Sequence, residues 1–109
     1  MITFDDFKKI EITAGRIVSA EKVPDADKLL KLMVDFKEES PRQIISGIAM
    51  YFPDIQTLVG KTCMFVTNLE PRTIRGEVSN GMLFALSTDD GAFSLLEPND
   101  TIPPGTKAK

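Results

Sequence analysis

The chain has 109 residues, of which 42% are hydrophobic, and a formal net charge of −3. That length fits one domain spanning residues 1–109 and leaves no room for a second core, and the apolar content excludes a disordered chain. The acidic balance excludes a strongly basic, non-specific DNA binder, but local clusters of Lys and Arg still leave RNA open. Cys63 is the only cysteine, so no internal disulfide can form, and the absence of histidine removes the commonest general base and metal ligand. The sequence shows no long apolar stretch, signal peptide or transit peptide, which gives a cytoplasmic expectation.

In chain order, the first element is a short helix. Thr3 can cap it, and Phe4, Phe7 and Ile10 recur at helical spacing. A strand follows over Ile12 to Val23, with Gly15 marking a bend or bulge. Pro24 to Asp27 is an acidic turn. Leu29 to Phe36 alternates, with Leu30, Leu32 and Val34 on one face, and reads as a strand. Lys37 to Arg42 is a polar loop, and Gln43 to Ile48 is a third strand. Pro53-Asp54 opens a short helix through Leu58-Val59, which Gly60 stops. Lys61 to Leu69 is the strongest strand. Cys63 lies in its apolar run Cys63-Met64-Phe65-Val66 and reads as an inert core thiol. Thr73 to Val78, Met82 to Ser87 and Phe93 to Leu96 are further short strands, with a turn at Thr88-Asp89-Asp90-Gly91. Pro98 to Lys109 should be extended or turn-like.

Many short strands with a helix between the third and fourth predict a mainly β fold. The best match is a five-stranded oligonucleotide-binding (OB) barrel with a short helix and N- and C-terminal extensions. Strand pattern alone does not separate it from a generic small barrel.

The residue inventory argues against catalysis. Asp25 and Asp27 are two apart beside Lys28, but they flank a turn in a polar loop, where solvated carboxylates are the rule. Ser46 has no histidine to activate it. No Gly-rich phosphate loop precedes a helix, and no Cys/His set could hold a metal. The expectation is a non-catalytic domain with no catalytic residue, metal or cofactor.

Cations offer a different chemistry. Lys28 and Lys31 flank the second strand. Arg42 opens the third and leads to Ser46. Arg72 and Arg75 follow the strongest strand, with Asn68 just before them. On one barrel face these groups suit phosphate and 2′-hydroxyl contacts; scattered, they are ordinary solvated charges. Charge alone divides the two readings evenly. Aromatic content is 7%, with no tryptophan, which argues against rows of stacked single-strand bases.

Six motifs then occur in order: Pro24-Asp25-Ala26-Asp27-Lys28-Leu29, Val34-Asp35, Ser46-Gly47-Ile48, Asn68-Leu69-Glu70-Pro71-Arg72, Arg75-Gly76 and Ser79-Asn80-Gly81-Met82. Together they resemble the tRNA-binding domain family, over about Phe4 to Leu96. That family includes structure-specific tRNA-binding proteins and the C-terminal domain of bacterial methionyl-tRNA synthetase. The resemblance implies an OB barrel that recognises tRNA shape. It places the RNA-binding surface at Lys28, Lys31, Arg42, Ser46, Asn68, Arg72, Arg75, Ser79 and Met82. Met82 is equally readable as a core residue, and Asp27 and Asp35 as braces for nearby loops. The resemblance also implies a homodimer, joined through the segment around Phe4 and Phe7 and the extension from Phe93 to Lys109. The chain would act alone or serve a methionyl-tRNA synthetase catalytic domain. The alternative on the same dimeric barrel is an export-related chaperone that binds extended peptide. Three positions depart from the family pattern: Val23 replaces a histidine, Phe36-Lys37 a glycine, and Asn80 a glutamate. The first two alter loop geometry; the third removes a carboxylate near the expected site.

Overall fold

The computed structural model describes Met1–Lys109. Its first element, α1, is a single turn over Phe4–Phe7. Thr3 caps it through a reciprocal capping box with Asp6, which satisfies two otherwise unpaired backbone N–H groups. None of its residues is buried.

Nine strands follow: β1 (Ile12–Lys22), β2 (Leu30–Asp35), β3 (Arg42–Ser46), β4 (Thr62–Val66), β5 (Arg72–Ile74), β6 (Glu77–Ser79), β7 (Met82–Leu83), β8 (Ala85–Ser87) and β9 (Phe93–Leu95). One antiparallel sheet runs in the order β3-β2-β1-β4-β7. Strand β1 is long because its two halves serve different partners. Ile12 to Arg16 pair with β4, and Arg16 to Lys22 pair with β2. Ile44 of β3 packs over Gly81, just ahead of β7, so the sheet curls into a nearly closed five-stranded barrel. The mainly β, OB-type expectation is met.

Alternation in β2 turns Leu30, Leu32 and Val34 fully inward, where they join Ile17, Ile44, Leu58, Cys63 and Phe65. Burying each large aliphatic side chain contributes about 1.5–3 kcal/mol. Phe36 meets Phe65 edge to face at 5.2 Å. Gly15 is required by this packing: a Cβ there would lie 2.4 Å from the Phe36 ring and 2.6 Å from Val34. The bulge expected at Gly15 falls instead between Ile17 and Ser19, where the register with β2 slips past Val18.

Several short elements differ from the sequence expectation. Thr73 to Val78 is not one strand but the β5–β6 hairpin, turned at Arg75-Gly76. Both turn residues have positive φ, +53° and +80°, the twist that a two-residue hairpin requires. Lys61 to Leu69 is regular only to Val66, and Met82 to Ser87 is broken at Phe84. The helix after Pro53 is a 3₁₀ turn, Ile55–Leu58, capped by Asp54. A second 3₁₀ turn, Ala49–Tyr51, was not anticipated. The C-terminal segment is extended, as expected. It lies along the free edge of β1, with Gly105 and Ala108 donating to the Ala14 and Ile12 carbonyls and Ala14 donating to Thr106. No helix is long and apolar enough to cross a membrane.

Candidate nucleic-acid interface

Two loops meet beside the end of β2. The turn between β1 and β2 folds on itself, with Ala26 donating to Val23 and Leu29 to Ala26. Val23 and Ala26 bury against Ile45 of β3 in a small satellite core, on which Leu29 and Ile74 pack. Ile74 therefore fixes the β5–β6 hairpin, and Arg75 follows it directly. The result is a hollow of about 510 Å³ lined by Asp25, Ala26, Asp27, Lys28, Leu29, Ile74 and Arg75. Asp25 has φ +60°, so two of the chain's non-glycine residues in left-handed backbone line this one hollow.

The expected site residues divide by what their polar atoms already touch. Lys28 and Arg75 face the hollow, and Arg72 stands exposed at the open end of the same hairpin. None of the three forms an ion pair, whereas Arg16 and Arg42 both do. Ser46 ends β3 opposite Leu30, half-buried beside the turn. Met82 is exposed on β7 and is not a core residue.

The other expected residues are engaged within the chain. Lys31 lies between Glu21 at 3.8 Å and Glu77 at 3.4 Å. Glu77 also accepts from the Gln43 amide, which donates in addition to the Val78 carbonyl. Buried Ser79 accepts from the Ile45 backbone N–H at 2.9 Å and donates to the Gly81 carbonyl, locking β6 to β3. The Asn68 side chain holds the segment before β1, accepting from the Glu11 N–H and donating to the Lys9 carbonyl. Asp35 accepts from the Lys37 N–H and pairs with Arg16, the bracing role expected of it.

Arg42 is the most heavily bound cation. Its Nε and Nη2 donate to the two carboxylate oxygens of Glu38, both at 2.8 Å. Its Nη1 donates to the Thr67 and Asn80 carbonyls, and its guanidinium lies 5.4 Å over the Phe36 ring. It lines a second concavity of about 430 Å³ where the C-terminal segment meets the barrel. There Thr67 donates to Glu11 at 2.6 Å and bonds Thr13, and Lys107 pairs with Glu11 at 3.1 Å. The Thr67 hydroxyl, then Lys107, hold the Glu11 carboxyl below its ordinary value. The Arg42 hydrogen bonds do the same to Glu38, and Glu38 in turn raises Arg42. Burial pushes the Cys63 thiol up to about 12, which leaves it protonated and unreactive at neutral pH.

Sequence reasoning missed Glu77, Gln43 and the Glu11–Thr13–Thr67 network. Glu77 was legible in principle: a turn at Arg75-Gly76 pairs it with Ile74 and points both toward the barrel. The network was not legible, because its partners lie 54 and 56 residues apart.

Residues 12–107 match the family described as "Putative tRNA binding domain". A methionine–tRNA ligase of Enterococcus faecalis is 39% identical over 104 residues, covering 95% of this chain and 16% of that enzyme. The solved structure of a MetRS related protein from Pyrococcus horikoshii has a TM-score of 0.90 and 36% identity, covering 100% of this chain and 98% of the other. That of the chaperone CsaA from Bacillus anthracis has a TM-score of 0.86 and 28% identity, covering 100% and 99%. The chain spans 14–16% of the length of the curated ligases it matches.

Proposed function

The chain belongs to the tRNA-binding domain family, and from that premise we propose that it is a non-catalytic, structure-specific tRNA-binding module. The observation that carries the site is the hollow between the β1–β2 turn and the β5–β6 hairpin, with Lys28 and Arg75 on its walls and neither of them ion-paired to Asp25, Asp27 or any other carboxylate. Arg75 and Arg72 contact phosphate through their planar forks, and Lys28 acts as a mobile point charge. Ser46 reaches a ribose hydroxyl, and Met82 offers a soft apolar surface. Lys31, Arg42, Asn68 and Ser79 act on RNA by holding the loops that present these groups. Contacts of this kind carry shape rather than base sequence.

The test is a titration with mixed tRNA at rising salt, beside a duplex RNA and an unfolded peptide. Folded tRNA should be preferred, with affinity falling steeply in salt. Arg75→Ala should weaken binding and reduce the salt slope by about 1, without altering the unfolding midpoint, because alanine keeps the same Cβ at the same φ. An unchanged slope removes Arg75 from the site.

The same proposal includes a homodimer in the cytoplasm, acting alone or attached to a methionyl-tRNA synthetase catalytic domain. Phe4, Phe7, Ile10 and Ile12 line an apolar groove with Ala108 and Lys109, where the two chain ends meet. A turn of helix with no buried residue gains a core only by pairing. Sedimentation should give twice the chain mass, and Phe4→Glu with Phe7→Glu should give the monomer; a wild-type monomer removes this part. The likeness to CsaA supports one competing reading, a peptide-binding chaperone. Peptide binding without tRNA binding in the titration would put that reading first.

A further inference from the structure

We propose that Tyr51 is a stacking platform for an unpaired base of the bound RNA, an inference that rests on the tRNA-binding reading. The sequence Ile48-Ala49-Met50-Tyr51-Phe52 forms the 3₁₀ turn that follows β3. Ile48 and Ala49 are buried and anchor it, which turns Met50 and Tyr51 outward at 69% and 43% exposure. The Tyr51 ring is not loose. It lies parallel to Phe93 of β9, with centroids 4.1 Å apart and planes 13° from parallel. Phe93 is wedged in turn by Phe52, edge to face at 5.6 Å. With one face held on Phe93 and 43% of the residue exposed, the ring is already oriented at the surface, so a ligand that stacks on it orders little further.

Position selects the ligand. The Ala49 N–H donates to the Lys28 carbonyl at 3.1 Å, tying this turn to the wall of the cationic hollow. Tyr51 is two residues from that bond. In this proposal a phosphate held at Lys28 sets its own or a neighbouring nucleotide against the ring, and exposed Met50 adds apolar surface on the same turn. Bases inside a duplex have both faces covered, so the platform takes a base that the RNA fold leaves unstacked. Neither Met50 nor Tyr51 lines the apolar groove at the chain ends, although Phe93, the ring beneath Tyr51, opens the C-terminal extension expected to join the dimer.

Tyr51 is the only tyrosine and the chain has no tryptophan, so intrinsic emission reports this one ring. Mixed tRNA is titrated into the full chain, with emission corrected for RNA absorbance and binding followed independently by anisotropy of labelled tRNA. Tyr51 emission should be quenched with the same midpoint as the anisotropy. Tyr51→Ala should lower affinity about tenfold, the scale of one base–aromatic stack, with the salt slope retained, and Tyr51→Phe should bind as the wild type does. Wild-type emission carries the test even if Tyr51→Ala fails to fold. Salt-dependent tRNA binding with unchanged Tyr51 emission overturns the platform and leaves the tRNA reading standing. Absence of tRNA binding overturns both. An emission change that follows protein concentration without RNA places a second copy against the ring and overturns the proposal.

Discussion

The hollow at Lys28 and Arg75 and the concavity at Arg42 and Lys107 are alike in size and both contain cations. Their chemistry is opposite. In the second, both carboxylates are answered and Lys37 alone forms no ion pair: Arg42 grips Glu38 and two carbonyls, and Lys107 meets a Glu11 that Thr67 also holds. In the first, the cations stand on a turn and a hairpin tip without ion partners. The difference teaches that counting Lys and Arg does not locate a phosphate site on an acidic protein. What matters is which cations the fold leaves unanswered, because a bound anion must compete with any carboxylate already in place.

The widest separation between the two regions should appear on removal of their arginines. Arg42→Ala strips Glu38 of its bidentate partner and leaves the Thr67 carbonyl without the 2.6 Å bond it accepts. With the Arg42 side chain only 25% exposed, the loss is set by charge-assisted bonds rather than by a screened surface pair. The expected cost is about 2 kcal/mol of stability, read as a lower urea midpoint. Arg75→Ala should leave that midpoint in place and lower tRNA affinity and its salt slope. If Arg42→Ala instead keeps full stability and loses tRNA binding, the comparison breaks and Arg42 belongs in the contact surface.

This division explains what the sequence disclosed and what it withheld. The barrel was legible because alternation in β2 and the apolar run of β4 report burial directly. The turn at Pro24 to Lys28 and the Arg75-Gly76 pair were legible as motifs. The pairing state of each cation was not. Arg42 reads in sequence as one more basic residue at the head of a strand, and only the fold brings Thr67 and Asn80 to it. Ser79 reads as a hydroxyl available to ribose, yet hairpin register turns it inward to the Ile45 N–H. Tyr51 drew no attention because a single aromatic has no pattern, and its rigidity comes from Phe93, far along the chain.

A smaller effect sharpens the comparison from the saturated side. Lys37 lines the Arg42 concavity and has φ +63°, a left-handed conformation, at the place where the family pattern carries glycine after Val34-Asp35. The Asp35 carboxylate stabilises that turn by accepting the Lys37 N–H at 2.8 Å, but a Cβ in this region still costs about 1–2 kcal/mol. Lys37→Gly removes that cost and adds the greater unfolded-state freedom of glycine, about 0.5–1 kcal/mol. The net expectation is a gain of about 0.5–1 kcal/mol, read as a higher urea midpoint. Lys37 forms no ion pair, so its charge is not needed to hold Glu38 or Glu11. The substitution should therefore raise stability and leave tRNA affinity unchanged, the reverse of the Arg75→Ala pattern. A loss of stability would mean that the lysine, despite its backbone, supports the charge network around Glu38, and that the saturated concavity depends on cations beyond those in contact.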